Sequence, residues 1–224
     1  MAEAMTVETI LEADLQLRGF WTRLRFPLQT ANGGWSDIDL LAYHPERREL
    51  VIAESKVRGP KKAVYAYTSY SQKKYGDILK FDDNNYFSFL RHIKQICKNG
   101  DIFRDFKKMV KTLTIHLVSN YYIAPECMTN ARTTILKHVR PNIPKSISVT
   151  IKLETTLDVI SRIISDENKN PQGRRYGHAA LDIARELNRY LHPDVRYAGR
   201  TRSSTVPIKK ALADTFERAF RVVE

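Results

Sequence analysis

Residues 36–56 read SDIDLLAYHPERRELVIAESK, and this stretch decides the fold. WSDIDLLAY and ELVIAESK are apolar runs with isolated charges, separated by the short loop His44-Pro45-Glu46-Arg47-Arg48. They are expected to be antiparallel strands. Ile38, Leu40, Leu41, Val51, Ile52 and Ala53 make both runs too apolar for an exposed edge. Side chains alternate along a strand, so Asp37 and Asp39 are expected to share a face with Leu41, and Ile52, Glu54 and Lys56 to share a face of the partner. Pairing Tyr43 with Leu50 at the loop sets Asp39 opposite Glu54 and Asp37 opposite Lys56. Opposed residues have Cβ atoms about 4.5–5.5 Å apart, where two like charges are destabilising. Something positive is expected between them.

Lys56 supplies one such charge. A site rich in carboxylate oxygen also suits a hard divalent cation, Mg²⁺ or Mn²⁺. Such an ion polarises a phosphoryl oxygen and acidifies a bound water. A partly desolvated lysine beside it has its pKa pushed down and is placed to activate that water. The plainer alternative is an ion-paired hairpin in which Asp37 bridges Lys56 and the other carboxylates are solvated at an edge. The apolar setting argues against it, because buried charges need partners or a metal.

This arrangement resembles the PD-(D/E)xK nuclease superfamily over about residues 5–120. The matching parts are a leading helix TVETILEADLQLRGF, a strand WTRLRFPLQ, the Asp39 strand, the Glu54-Ser55-Lys56 strand, a basic helical segment and a strand KTLTIHLVS. That is the αβββαβ order of the restriction-endonuclease-like core, an α/β fold with a central mixed sheet flanked by helices. The resemblance implies a metal-dependent nuclease, expected to be a DNA endonuclease, with Asp39, Glu54 and Lys56 as catalytic residues. It implies a metal site of Glu8, Asp39, Glu54 and the Ser55 carbonyl, with Glu12 one turn on as the rival to Glu8. Ile38 stands where the motif name has proline, a common departure in the family. A homodimer is compatible with the resemblance, since relatives that cut both strands often pair.

Composition agrees with a polyanionic partner. The chain of 224 residues has 37 Lys plus Arg against 25 Asp plus Glu, net +12, and a pI of about 9.7, which favours nucleic acid. Residues 1–55 hold 5 basic and 9 acidic side chains, whereas 56–111 hold 14 and 5. Carboxylates for an ion are thus followed directly by cations for flanking phosphates. Lys61, Lys62, Lys73 and Lys74, interleaved with Tyr65, Tyr67, Tyr70 and Tyr75, are candidate nucleic-acid contacts, and the tyrosines read better as packing anchors. Gln72 is a weaker candidate for reaching the site. Arg174 and Arg175 at a helix start, and Arg200 and Arg202 in YAGRTRSST, are further candidate phosphate contacts.

The length and 42% hydrophobic content are enough for a full core without staples. Residues 1–153 are expected to form the nuclease-like core, ending in the strand SISVTIKLE, and 154–224 a mainly helical extension packed on it. Cys97 and Cys127 lack metal-ligand spacing and fit a reducing cytoplasm. The acidic amphipathic N-terminus is not expected to be a signal peptide, and no stretch has the roughly 18 consecutive apolar residues of a membrane span. The six histidines show no i, i+4 pair, and each reads as a packing or surface residue. Asn32-Gly33-Gly34 is a turn without the Lys-Ser/Thr of a phosphate-binding loop, and there is no Gly-x-Ser-x-Gly elbow. The alternative is a non-catalytic nucleic-acid-binding module that keeps the nuclease fold.

Overall fold

The structure, a computed structural model, describes residues 2–29, 33–56, 93, 96–98, 106, 108–119, 125–169 and 182. The chain divides into two compact units, Met1–Val159 and Ile160–Glu224. The first unit is α/β, with a five-stranded mixed sheet flanked by helices.

Helix α1, Ala2–Leu17, opens the chain. Val7, Leu11 and Leu15 are buried at four-residue spacing, and the same stripe carries the buried carboxylate of Glu8. Gly19 ends the helix. At φ 84 it takes the left-handed backbone, its N–H bonds Gln16 O, and Phe20 N–H reaches back to Leu15 O. This is a Schellman cap, closed by burial of both Leu15 and Phe20.

The sheet follows chain order, β1-β2-β3-β4-β5. Strands β1 (Trp21–Gln29), β2 (Trp35–His44) and β3 (Glu49–Lys56) form an antiparallel meander. Strands β4 (Thr112–Ser119) and β5 (Ser148–Thr155) add in parallel. Tyr43 pairs with Leu50, the register expected from the Pro45–Arg48 loop. Arg48, at φ 51, turns the chain back, and its carbonyl accepts from Lys111 N–H and so ties the loop to the start of β4. Neither β2 nor β3 is an edge, as their apolar content requires. Strand β4 has neighbours on both sides and six consecutive buried residues, Leu113 to Val118.

Parallel strands need crossovers. Helix α2, Pro125–Val139, connects β4 to β5. Its Ala131, Ile135 and Val139 join Leu50, Ile52, Leu113, Ile115 and Leu117 in one cluster, together with Ile93, Ile96 and Cys97 from the segment between β3 and β4. The described residues of both connections therefore pack on the same face. Helix α1 lies against β1, β2 and β3, and none of its buried residues belongs to that cluster, so it covers the other face. Helix α3, Thr156–Lys169, starts at a reciprocal cap in which Thr155 N–H and Oγ1 bond Asp158 Oδ2 and Asp158 N–H bonds Thr155 Oγ1. No described helix is long and apolar enough to cross a membrane.

Candidate functional site

The β1–β2 ladder pairs Leu24 with Leu40 and Phe26 with Ile38, but the pair between them, Arg25 and Asp39, is missing. Arg25 has a φ of 51, a backbone that side chains rarely adopt. Both strands change face at this point. In β1, Thr22 bonds the α1 side chains of Glu12 and Gln16, yet Phe26 and Leu28, at even spacing from it, pack with the cluster on the other face. In β2, Ile38 and Leu41 belong to one cluster although they are three residues apart. The expectation that Asp37 and Asp39 share a face with Leu41 through unbroken alternation is therefore corrected.

The break frees the Asp39 side chain for a different partner. The β2–β3 ladder ends at Leu40 and Ala53, one step short of an Asp39–Glu54 pair. Ser55 N–H and Ser55 Oγ instead donate to Asp39 Oδ2, at 2.8 Å and 3.1 Å. Asp37 meets Arg25, whose Nη1 lies 3.2 Å from its Oδ2.

A positive group that the sequence reading did not name, Arg25, lies here. Its Nη2 lies 2.8 Å from Glu8 Oε1, so one guanidinium bridges α1 and β2. The two contacts differ in weight. Asp37 and Arg25 are both about half exposed, and such pairs contribute about 0–1 kcal/mol. Glu8 is only 2% exposed, and a carboxyl so buried needs a partner or a proton. The Glu8 carboxyl is pushed up to about 7, first by burial and then by the charge of Asp39, while Arg25 pulls it back down. The Arg25 guanidinium is raised above its ordinary value, chiefly by its hydrogen bond to Asp37.

Glu8 thus sits with Asp37 and Asp39. Its rival Glu12 points to the start of β1, where Thr22 Oγ1 donates to it at 3.0 Å. Glu54 and Ser55 are buried near the end of β3, 4% and 7% exposed. Lys56 ends that strand opposite Ser119, and its side chain lies outside the described part. Lys61, Lys62, Gln72, Lys73, Lys74, Arg174, Arg175, Arg200 and Arg202, with the four tyrosines, also lie outside the described residues. Among the described residues, no three His, Cys, Asp or Glu side chains converge closely enough to hold an ion as they stand.

Sequence reasoning missed Arg25. The acidic excess of residues 1–55 already demanded a nearby cation, and three of the five basic residues there, Arg18, Arg23 and Arg25, precede the Asp39 strand. It also missed a buried network on β4 and β5. His116, 1% exposed, lies 2.9 Å from Glu154 Oε2, while Lys152 Nζ lies 2.9 Å from Glu154 Oε1. His44 is a packing residue as expected, edge-on to Phe20.

No family model matches the chain, and no curated protein matches it. Among solved structures, it is similar to the crystal structure of a protein of unknown function, AF1548, at 13% identity over 94% of this chain and 97% of that one, with a TM-score of 0.34. A likeness that faint carries no argument for fold or function.

Proposed function

We propose that the chain is a Mg²⁺- or Mn²⁺-dependent nuclease, a DNA endonuclease built on a restriction-endonuclease-like core. The observation that supports this reading is the bond from Ser55 N–H to Asp39 Oδ2, which sets Asp39 of β2 beside the end of β3 that carries Glu54, Ser55 and Lys56, with buried Glu8 of α1 held by the same arginine that grips Asp37. The order α1-β1-β2-β3, then β4, also agrees with that core.

The donor set fits a hard cation by its chemistry. Glu8, Asp39, Glu54 and the Ser55 carbonyl are all oxygen ligands. Bound there, the ion supplies polarisation of the scissile phosphate and a more acidic water. The chain's residues do the rest. Ser55 fixes the Asp39 carboxylate through Oδ2 alone, which reserves Oδ1 for the ion. Glu8 is held from the helix side, where burial keeps bulk water away from it. Lys56 orients the attacking water and takes its proton at Nζ. The basic residues after β3 grip the flanking phosphates and fix the register of the strand being cut.

The test is cleavage of single-stranded, duplex and branched DNA, and of RNA, with Mg²⁺, Mn²⁺ or EDTA, using wild type beside Lys56→Ala. Metal-dependent cutting that the variant loses is the expected result. Tight, salt-sensitive binding without cutting of any substrate would replace this reading with a nucleic-acid-binding module of nuclease-like fold.

A further inference from the structure

We infer that Arg25 is a displaceable counter-cation, whose guanidinium holds the place of the divalent ion among Glu8, Asp37 and Asp39 and must release Glu8 before the ion binds. The inference rests on the metal-site reading above and concerns how that site is regulated.

Three observations carry it. First, the guanidinium already does what an ion would do at this place, with Nη2 on buried Glu8 and Nη1 on Asp37. A divalent ion shared by Glu8 and Asp39 would lie within a few ångström of that positive charge, and the two cations repel. Second, the two grips are unequal in setting. Glu8 is buried, but Asp37 is 41% exposed and the Arg25 side chain 46%. The long side chain therefore has solvent on one side, into which it can swing while Asp37 holds it. Third, the arrangement sits on a left-handed arginine, φ 51, at the one missing pair of the β1–β2 ladder. Strained backbone at a non-glycine persists only where surrounding structure holds it and clusters at functional sites, and here it carries the side chain that makes both ion pairs. When the ion takes Glu8, Arg25 remains tethered by Asp37 at the mouth of the site, with Nη2 free to meet a phosphate oxygen of the substrate.

The test is Mn²⁺ binding by calorimetry to the full chain, as wild type, Arg25→Gln, Arg25→Gly and Asp39→Asn, with a thermal melt of each. Removing a competing charged hydrogen bond predicts Mn²⁺ affinity roughly tenfold tighter in both Arg25 variants, and loss of binding in Asp39→Asn. Glycine adopts a positive φ without strain, so Arg25→Gly keeps the test valid should the glutamine variant fail to fold. Unchanged or weaker Mn²⁺ binding in the Arg25 variants, with binding still dependent on Asp39, would overturn the counter-cation role and leave the metal site standing. No Mn²⁺ binding in wild type or the Arg25 variants, or undiminished binding in Asp39→Asn, would overturn the metal site and this inference with it.

Discussion

Ser55 donates its backbone N–H to the carboxylate of Asp39, 2.8 Å away, at the point where the ladder between β2 and β3 stops. A side chain there performs the work of a backbone carbonyl. Asp39 is therefore a structural residue as well as a candidate ligand, and the two roles respond to different substitutions. Asp39→Ala strands a buried N–H and is expected to cost about 1–3 kcal/mol. Asp39→Asn keeps an acceptor for Ser55 and should unfold close to wild type in urea. Both are expected to lack metal-dependent cleavage. Equal stability of the alanine and asparagine variants would show that the Ser55 bond contributes little.

Glu8 and Glu12 are one turn apart, but only Glu8 faces Arg25 and the Asp39 charge. Glu8→Gln should reduce cleavage by about 10- to 100-fold, the size seen when groups supporting a metal site are lost. Glu12→Gln, which keeps an acceptor for Thr22, should cleave within about twofold of wild type. Rates measured side by side at saturating Mg²⁺ decide the matter, and the reverse ranking would move the helix ligand to Glu12.

Gly19 closes α1 at φ 84, and a Cβ there would lie 3.3 Å from His44 Nε2. Gly19→Ala combines a left-handed backbone with a tight contact and is expected to cost about 1–2 kcal/mol. Equilibrium urea unfolding would show this as a lower midpoint at unchanged slope.

His116 supplies a pH dependence. Its imidazole is pushed below the ordinary 6.5, first by burial, against the opposing pull of Glu154. It is thus neutral when folded and donates Nε2–H to Glu154 Oε2. As pH falls through 6.5 the unfolded chain takes up a proton that the folded chain refuses. Stability from this group is present above that pH and lost below it, by up to about 1.4 kcal/mol per pH unit. The other charges facing it are Lys152 beside it on β5 and Asp14 on α1. Unfolding at about pH 7.5 and about pH 5.5 should show a smaller difference in His116→Gln than in wild type. The same difference in both would remove His116 as its source.

The hairpin register was legible because a short loop separates two apolar runs, which sets Tyr43 against Leu50, the pair the structure has. The strands KTLTIHLVS and SISVTIKLE were legible by their β-branched content. The break at Arg25 was not. Pattern reading assumes that a strand alternates without interruption, and nothing in WTRLRFPLQ marks an arginine for a backbone usually left to glycine. That single missed dihedral bears on two aspartates: Asp37 meets Arg25, and Asp39 takes Ser55 where a pairing with Glu54 was expected. The Glu154 tether of His116 was hidden for another reason, because a 38-residue separation joins two strands that only the completed sheet brings side by side.

The chain-order sheet also sets a timetable. Glu8, Arg25, Asp37, Asp39 and Ser55 all come from the first 55 residues, whereas β4 and β5 end at Ser119 and Thr155. A nascent chain can therefore gather the charges of the site through short-range pairings. During that interval β3 is an open edge with an apolar surface, awaiting a neighbour that has still to be synthesised. The charged groups of the candidate site are thus made first, and the strands that complete the sheet follow them.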